Sequence, residues 1–330
     1  MCVESSSFFA TDEFVAGTLH VLTAIAVLFH VYGAYVILMK TPSKMQNVRN
    51  TMFLLHLVCA FSDFYFSCLA IPVLTLPICS GYPLGLAVVL GIPTNILTYI
   101  GASLIGVILA TILMFFEDRY HRLKYGHLPN VSRGWKRMAY LLFNYLIAST
   151  FVAPTFMQIP NQENSISIIK NIIPCVKSEI FDRKGFFVLS IENTVTGLCF
   201  SISFALFVIQ IIFFVVSIFL YLFHTPTVSE TTHRLQKQLF IAMCLQVFIP
   251  FLVVVFPAGY INLSIWYQYY NQGASNIAMA TIAIHGILTT LAMIIVHTPY
   301  RHATSELFNF NSARVRSNSQ QIWATSTRQL

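Results

Sequence analysis

The chain has 330 residues, of which 56% are hydrophobic and only 9% are charged, and its formal net charge is +7. Soluble domains carry about 25% charged residues, so this composition excludes a soluble globular protein and predicts a polytopic membrane protein. The basic residues lie between apolar runs, so membrane orientation explains the positive charge and no nucleic-acid partner is expected.

Stretches without Asp, Glu, Lys or Arg mark the membrane-spanning helices, each of which needs about 20 apolar residues. Proline and glycine residues between positions 72 and 83 divide the long apolar stretch 50–116 into two helices. The polar region 262–273 likewise divides the stretch 238–300. The sequence therefore predicts an all-α membrane protein with seven helices, at about residues 15–39, 51–76, 87–116, 138–158, 196–223, 237–260 and 274–297.

The distribution of Lys and Arg predicts the orientation of the bundle. Fifteen of these residues lie in the segments on one side and four lie on the other, all four within the loop 159–192. Because basic loops favour the cytoplasm, we expect an extracellular N-terminal tail over residues 1–14 and a seven-helix domain over residues 15–301. A cytoplasmic tail is then expected over residues 302–330.

The predicted tail begins with a segment that brings Leu307, Phe308 and Phe310 close together. Such a segment predicts a short amphipathic helix along the inner membrane surface. Beyond it, Ser and Thr residues stand among Arg residues, which predicts a disordered region that is phosphorylated for desensitisation. A kinase or an arrestin is therefore an expected partner of the tail.

The third predicted helix ends in an acid-acid-Arg-Tyr sequence, Glu117, Asp118, Arg119 and Tyr120. Its place at the end of the third of seven spans resembles the inner end of the third helix of a G-protein-coupled receptor. In that interpretation Arg119 pairs with Asp118 or Glu117 at rest and is freed when the sixth helix moves, which opens a cleft for a G protein. The alternative is a plain cytoplasmic anchor.

Several further short motifs follow one another over roughly residues 15–310, and together they resemble the nematode serpentine chemoreceptors of class H, in the larger family that includes class Str. The motifs are Phe29-His30-Val31-Tyr32-Gly33-Ala34-Tyr35 with Lys40-Thr41-Pro42 and Met45, Pro77 with Gly81-Tyr82-Pro83-Leu84-Gly85, Leu235-Gln236-Lys237, Gln246-Val247-Phe248-Ile249-Pro250 and His297-Thr298-Pro299-Tyr300-Arg301. The last differs from the Asn-Pro-x-x-Tyr of rhodopsin-like receptors.

The resemblance implies a multi-pass receptor of the plasma membrane, in the cilia of chemosensory neurons. Such a receptor detects a small-molecule odorant or pheromone and activates a heterotrimeric G protein. Rhodopsin-like receptors also carry a disulfide between the first outer loop and the long outer loop. Cys79 and Cys175 occupy comparable places in this chain, and Cys2 is an alternative partner.

Asp63 is the only carboxylate predicted to lie deep in a span, and His285 is predicted at nearly the same depth. An intramembrane acid usually faces a partner or a wet cavity, so we expect these two side chains to interact between the second and seventh helices. The alternative is that His285 bonds a backbone carbonyl, while Asp63 bonds hydroxyls such as those of Ser62 or Ser67.

Few residues in the sequence indicate where a ligand binds. Glu192, Tyr260, Trp266 and Tyr267 lie near the predicted outer rim, where they either touch a ligand or form the aromatic belt at the interface. The outer half of the third helix, from Ala87 to about Ser103, has no Asp, Glu, Lys, Arg or His, which argues against an amine ligand. We therefore expect a small neutral or weakly acidic odorant.

Two other classes of protein fit this sequence less well. A seven-span ligand-gated channel or a transporter, without G-protein coupling, is the alternative to a receptor, but no inverted repeat is evident. An intramembrane enzyme is not expected, because only one carboxylate is buried and no His-Glu-x-x-His pattern occurs. The scattered cysteines show no metal-ligand spacing, so neither a metal nor a cofactor is expected.

Overall fold

The computed structural model describes residues 7–125, 134–172, 176, 178–192, 194–224 and 230–308. Seven of its helices are long and apolar enough to cross a membrane, which confirms the predicted bundle of seven spans. In chain order these first to seventh spans are Asp12–Lys40, Val48–Ala70, Thr94–Tyr125, Trp135–Phe156, Thr194–His224, Gln236–Trp266 and Gln272–Val296.

Local chemistry fixes both ends of the first span. Thr11 caps its first turn, because the side-chain oxygen accepts a hydrogen bond from the backbone N–H of Phe14 at 3.2 Å. Asp12 and Glu13 follow in the first turn and Lys40 lies in the last turn. These charges complement the helix dipole at both ends.

The second span ends earlier and the third begins later than predicted, because the backbone breaks inside an apolar stretch of the sequence. The second span is an α-helix over Gln46–Phe64 and continues as a π-helix over Tyr65–Ala70. It ends where Ile71 adopts a left-handed conformation, with φ of 43°. The third span begins at Thr94 because Gly91, at φ of 72°, interrupts the chain after the short helix Leu86–Val89.

A small antiparallel sheet, which the sequence analysis missed, joins the loops at one end of the bundle. It contains β1 (Pro72–Thr75), β2 (Cys79–Pro83) and β3 (Phe187–Ser190), in the order β1-β2-β3. Val73 pairs with Tyr82, and the sheet therefore ties the segment after the second span to the segment before the fifth. We call this the sheet end of the bundle and the opposite end the Arg119 end.

Further helices extend or connect the spans. The helix of the sixth span runs over Glu230–Trp266, and the fourth and seventh spans are each built from two helical pieces. Those pieces are Trp135–Thr150 with Ala153–Phe156, and Gln272–Ala283 with His285–Val296. The remaining helices are Phe8–Ala10, Ser43–Met45, Gln162–Ile172, Ser178–Ile180 and Thr298–Phe308.

The largest apolar cluster lies toward the Arg119 end and joins six of the spans. Its buried members include Val36, Met52, Phe116, Ile218 and Met243. Side chains of this kind interdigitate at high density, so a shift of one helix is felt by its neighbours.

The helix Thr298–Phe308 agrees with the predicted short helix after the seventh span, although it begins earlier. Tyr300 is fully buried and its hydroxyl shares a hydrogen bond of 2.8 Å with Thr41 Oγ1. One turn later, Tyr32 donates to Thr304 Oγ1 at 2.8 Å. The first span therefore holds this helix. Residues 309–330, including Phe310, lie outside the described part.

Candidate functional site: two polar clusters within the bundle

The acidic residues at the Arg119 end are bound by an arginine of the fourth span. Arg137 Nε donates to Glu117 Oε1 at 2.7 Å, and its Nη2 donates to Glu117 Oε2 at 2.7 Å and to Asp118 Oδ1 at 2.8 Å. Arg122, one turn beyond Asp118, donates to Asp118 Oδ2 at 2.7 Å. Both carboxylates are buried, so these charge-assisted bonds supply the polar contacts that burial requires.

Arg119 follows those two acids on the third span, and only 8% of it is exposed. Its Nε and Nη2 atoms have no hydrogen-bond partner within the described residues. No ion pair of Arg119 with Asp118 or Glu117 is therefore formed through these two atoms, and the role of Arg119 as a switch stays a prediction. The planar guanidinium of Arg137 reaches both acids at once. Glu117 and Asp118 precede Arg119 by only two positions and one position on the same helix, so their side chains do not face it.

Tyr120 completes the predicted motif. Its ring packs beside Phe214 of the fifth span, with the centroids 5.7 Å apart. Its hydroxyl accepts a hydrogen bond from Lys124 at 3.0 Å. Tyr120 therefore connects the third and fifth spans at the same depth as the acid pair.

A second connection at this end joins the sixth span to the end of the seventh. His297 Nε2 donates to Gln246 Oε1 at 3.0 Å, and each residue is only 3% exposed. Both residues belong to the short motifs that resemble class H receptors, but the sequence alone predicts no role for either of them. The bond therefore joins the sixth span to the residue that follows the seventh span.

The second polar cluster is centred on Asp63, which is 2% exposed within the second span. His30 of the first span donates from Nε2 to Asp63 Oδ2 at 2.8 Å. His56 lies beside it and its Nε2 bonds the His30 carbonyl oxygen at 2.9 Å. His30 was not predicted as a partner, although its distance of ten residues from Lys40, about 15 Å along the helix, was an available signal.

His285 also reaches Asp63, but less directly. Its Nδ1 lies 3.1 Å from Asp63 Oδ1 and 2.9 Å from the Ile282 carbonyl oxygen. Asp63 Oδ1 has no hydrogen-bond partner by geometry within the described residues, so we assign the N–H to Ile282 and treat the Asp63 contact as electrostatic. The hydroxyls of Ser62 and Ser67 donate to backbone carbonyls instead.

Gly286 makes this approach possible. A Cβ at position 286 would overlap the carboxylate of Asp63. The absent side chain lets the seventh span lie directly against the acid, which brings His285 into range. In the same way, a Cβ at Gly33 would meet His56 and Thr290.

A cavity of about 230 Å³ opens beside this cluster, between the first and second spans. Apolar atoms form almost all of its lining surface. The lining residues are Thr23, Ala26, Val27, His30, Val31, Ala60, Asp63, Phe64 and Ser67.

The predicted ligand rim is not gathered around this cavity. Trp266 and Tyr267 are 82% and 69% exposed at the end of the sixth span. Tyr260 is half-buried and bonds the Asn271 carbonyl, while Glu192 is exposed. A ligand role for these four residues stays a prediction.

The predicted disulfide involves a residue outside the described part. Cys79 begins β2 and is unbonded among the described cysteines, but Cys175 is not described. The pairing therefore stays a prediction. Across the ranges that the structure describes, no group of three or more His, Cys, Asp or Glu residues could hold a metal ion.

Comparisons with known proteins agree with this architecture. The family model described as "Serpentine type 7TM GPCR chemoreceptor Srh" matches residues 10–310. A curated relative, "Serpentine receptor class H-72" from Caenorhabditis elegans, is 26% identical over 312 residues, which cover 93% of this chain and 89% of the relative. The chain therefore belongs to the serpentine seven-transmembrane chemoreceptor family of class H.

Proposed function

We propose that this protein is a chemosensory receptor that detects a small-molecule odorant or pheromone and activates a heterotrimeric G protein. The proposal rests on the burial of Arg119 and on its two donor atoms without a hydrogen-bond partner among the described residues. Arg119 is buried at one end of the bundle, while Arg137 and Arg122 bind the acids beside it. An arginine with unused donors is prepared to bind carbonyl or carboxylate oxygens of a partner protein.

Access to Arg119 requires a movement of the bundle. Because Gln246 and His297 hold the sixth span against the end of the seventh, this bond is part of the closed state. A ligand that favours the open arrangement shifts the population toward it by the difference between its affinities for the two states. Opening then exposes Arg119 to the G protein.

The proposal also assigns the two ends of the bundle. The Arg119 end faces the cytoplasm and the N-terminus is extracellular, which agrees with the excess of Lys and Arg on that side. The receptor then resides in the plasma membrane, in sensory cilia. A kinase and an arrestin act on the tail beyond residue 308, where Ser and Thr residues are frequent.

The test is a G-protein dissociation sensor in cultured cells that express the full chain. Wild type is compared with Arg119→Ala at equal surface expression, with and without a panel of volatile alcohols, ketones and esters. We expect Arg119→Ala to lower the signal at least about tenfold, which corresponds to the loss of one good contact. Lys136→Ala, an exposed basic residue at the same end of the bundle, is the matched control and keeps the signal.

Two outcomes would refute the proposal. One is an Arg119→Ala signal equal to that of wild type. The other is an N-terminal tag that antibodies reach only after permeabilisation, because the Arg119 end would then not face the cytoplasm.

A further inference from the structure

The chain between β2 and the third span carries a patch of exposed aliphatic side chains. Leu86, Val89, Leu90 and Ile92 are 47%, 79%, 64% and 37% exposed, and we call these four residues the aliphatic patch. The sequence predicted this segment as part of the third helix, but the span begins only at Thr94. The patch therefore lies outside the seven spanning helices. Contiguous exposed apolar side chains of this kind mark a surface that contacts a partner or a membrane.

The segment lies beside the second span rather than beyond its end. The N–H of Gly85 donates to the Ala70 carbonyl oxygen at 3.1 Å, and Ala87 packs in one apolar cluster with Tyr65 and Ala70. A Cβ at Gly85 would overlap the carbonyl oxygen of Leu69, so the two backbones are in direct contact. These partners form the π-helical part of the second span, which is one of the membrane-spanning helices. The aliphatic patch therefore lies at membrane depth.

Backbone hydrogen bonds close the segment on itself. The N–H of Gly91 donates to the Val88 carbonyl at 3.2 Å, and the N–H of Ile92 donates to the Ala87 carbonyl at 3.0 Å. These two bonds, with Gly91 at φ of 72°, form the Schellman motif that ends a helix. Pro93 follows and has no N–H to donate. Such closure is what hydrocarbon requires, because no water is present there to bond a free N–H group.

The spans on both sides of the segment expose apolar side chains as well. Phe61 and Phe64 of the second span are 52% and 40% exposed, and Ile96 and Ile100 of the third span are 47% and 39% exposed. No Asp, Glu, Lys or Arg occurs over residues 64–116. The aliphatic patch is therefore continuous in sequence and in chemistry with surfaces that face lipid.

We propose that the aliphatic patch is embedded in the hydrocarbon of the bilayer leaflet at the sheet end, as a short re-entrant anchor beside the second span. Its partner is the acyl chains of that leaflet. Thr94, which follows the anchor, donates to the Gly185 carbonyl of the long loop at 2.7 Å. The membrane boundary therefore passes between the patch and this contact, and the sheet lies at the membrane surface. The proposal requires a bilayer but no coupling to a G protein.

The experiment uses the full chain in nanodiscs that each hold one copy. Their phosphatidylcholine includes a small fraction that carries a diazirine on one acyl chain, either near the glycerol or at the chain end. After photolysis, the labelled residues are mapped by mass spectrometry. Ile100 is the internal standard for a side chain that faces lipid. Ile168, which is 41% exposed on the helix Gln162–Ile172, is the standard for an aliphatic side chain outside the spans.

We expect the probe with the diazirine near the glycerol to label Val89, Leu90 and Ile92 as strongly as Ile100. Their labelling should exceed that of Ile168 at least about tenfold, the ratio that transfer of one aliphatic side chain from water to hydrocarbon supports. The chain-end probe should label the patch less, because the patch lies beside the last turns of the second span.

Two labelling results would overturn the proposal. One is labelling of the aliphatic patch no stronger than that of Ile168, which would place the segment in water. The other is found in nanodiscs that hold two copies. Loss of patch labelling there, with unchanged labelling of Ile100, would assign the patch to a contact between two copies of the chain.

A pair of variants tests the same surroundings through stability. Val89→Asp places a charge in the aliphatic patch, and Ile168→Asp makes the same change at the exposed loop position. We expect the thermal midpoint in nanodiscs to fall for Val89→Asp and to stay unchanged for Ile168→Asp, because only the first charge would enter hydrocarbon. Equal midpoints for Val89→Asp and wild type would refute the proposal. If Val89→Asp does not fold, Val89→Asn carries no charge and should show the same loss to a smaller extent.

Discussion

Arg137 and Glu117 form a two-pronged ion pair, in which Nε and Nη2 of the arginine each lie 2.7 Å from a different carboxylate oxygen. The pair joins the third and fourth spans at the Arg119 end. It also keeps the acid away from Arg119, two positions further along the third span.

Replacing Arg137 should therefore affect both stability and signalling. Arg137→Ala leaves two buried carboxylates without their shared cation, and breaking such a pair costs on the order of 3 kcal/mol. The third and fourth spans would also lose the ion pair that joins them beside Arg119, so Arg119-dependent signalling should fall. The thermal midpoint in detergent and the G-protein sensor measure the two effects. Lys136→Ala, an exposed neighbour, should change neither, and an Arg137→Ala protein as stable as wild type would contradict the ion pair.

A double-mutant cycle should separate the two histidines that reach Asp63. His30 bonds Oδ2 directly at 2.8 Å, whereas the Nδ1 proton of His285 is assigned to the Ile282 carbonyl. With Asp63→Asn as the common change, we expect a coupling free energy of about 1–2 kcal/mol with His30→Gln and less than about 0.5 kcal/mol with His285→Gln. Thermal unfolding of the single and double variants provides the values. A larger coupling with His285 would reverse the assignment of the hydrogen bond.

Removing the bond between the sixth and seventh spans should favour the open arrangement. Gln246→Leu keeps the approximate volume but removes the acceptor of His297, and the lost bond is worth about 1–3 kcal/mol when the donor stays buried. Basal G-protein signalling should rise several-fold while the thermal midpoint falls. Gln238→Leu, at an exposed position of the same helix, is the control. Unchanged basal signalling in a destabilised Gln246→Leu protein would limit the bond to a structural role.

The reactivity of Cys79 should depend steeply on pH. Burial raises the pKa of this thiol to about 11, and only the thiolate is alkylated. In reduced, native protein the rate of alkylation by iodoacetamide should be slow at pH 7.5 and increase about tenfold for each pH unit below the pKa. Unreduced protein should not react at any pH if Cys79 is bonded to Cys175. Alkylation at pH 7.5 that is as fast as in denatured protein would contradict the burial.

The seven spans could be predicted because the bilayer imposes one strong rule, which is the exclusion of charge over about 20 residues. The sheet could not, because its three strands are only four or five residues long and are defined by pairing across distant loops. Its Pro and Gly content is that of a turn region, so only the partner strands reveal the structure.

The sequence indicates which residues belong to the polar clusters better than it indicates which of them contact one another. Asp63 was identified from its cost in a membrane, but the choice of His30 over His285 depends on the rotation of each helix about its axis. A shift of one residue turns a side chain by about 100°. Arg137 was counted only as a basic residue of the inner loops, since its contact with Glu117 needs the register between two spans.

Gly286 and Asp63 constrain each other in a way that can be followed across related sequences. Any Cβ at position 286 would occupy the space of the Asp63 carboxylate. A relative with a larger residue at position 286 therefore cannot hold an acid at position 63 in the same conformation. The two positions should therefore vary together. The double variant Gly286→Ala with Asp63→Ala should be tolerated far better than Gly286→Ala on its own. An alignment of class H receptors can thus report on the electrostatics of a buried site before any of them is purified.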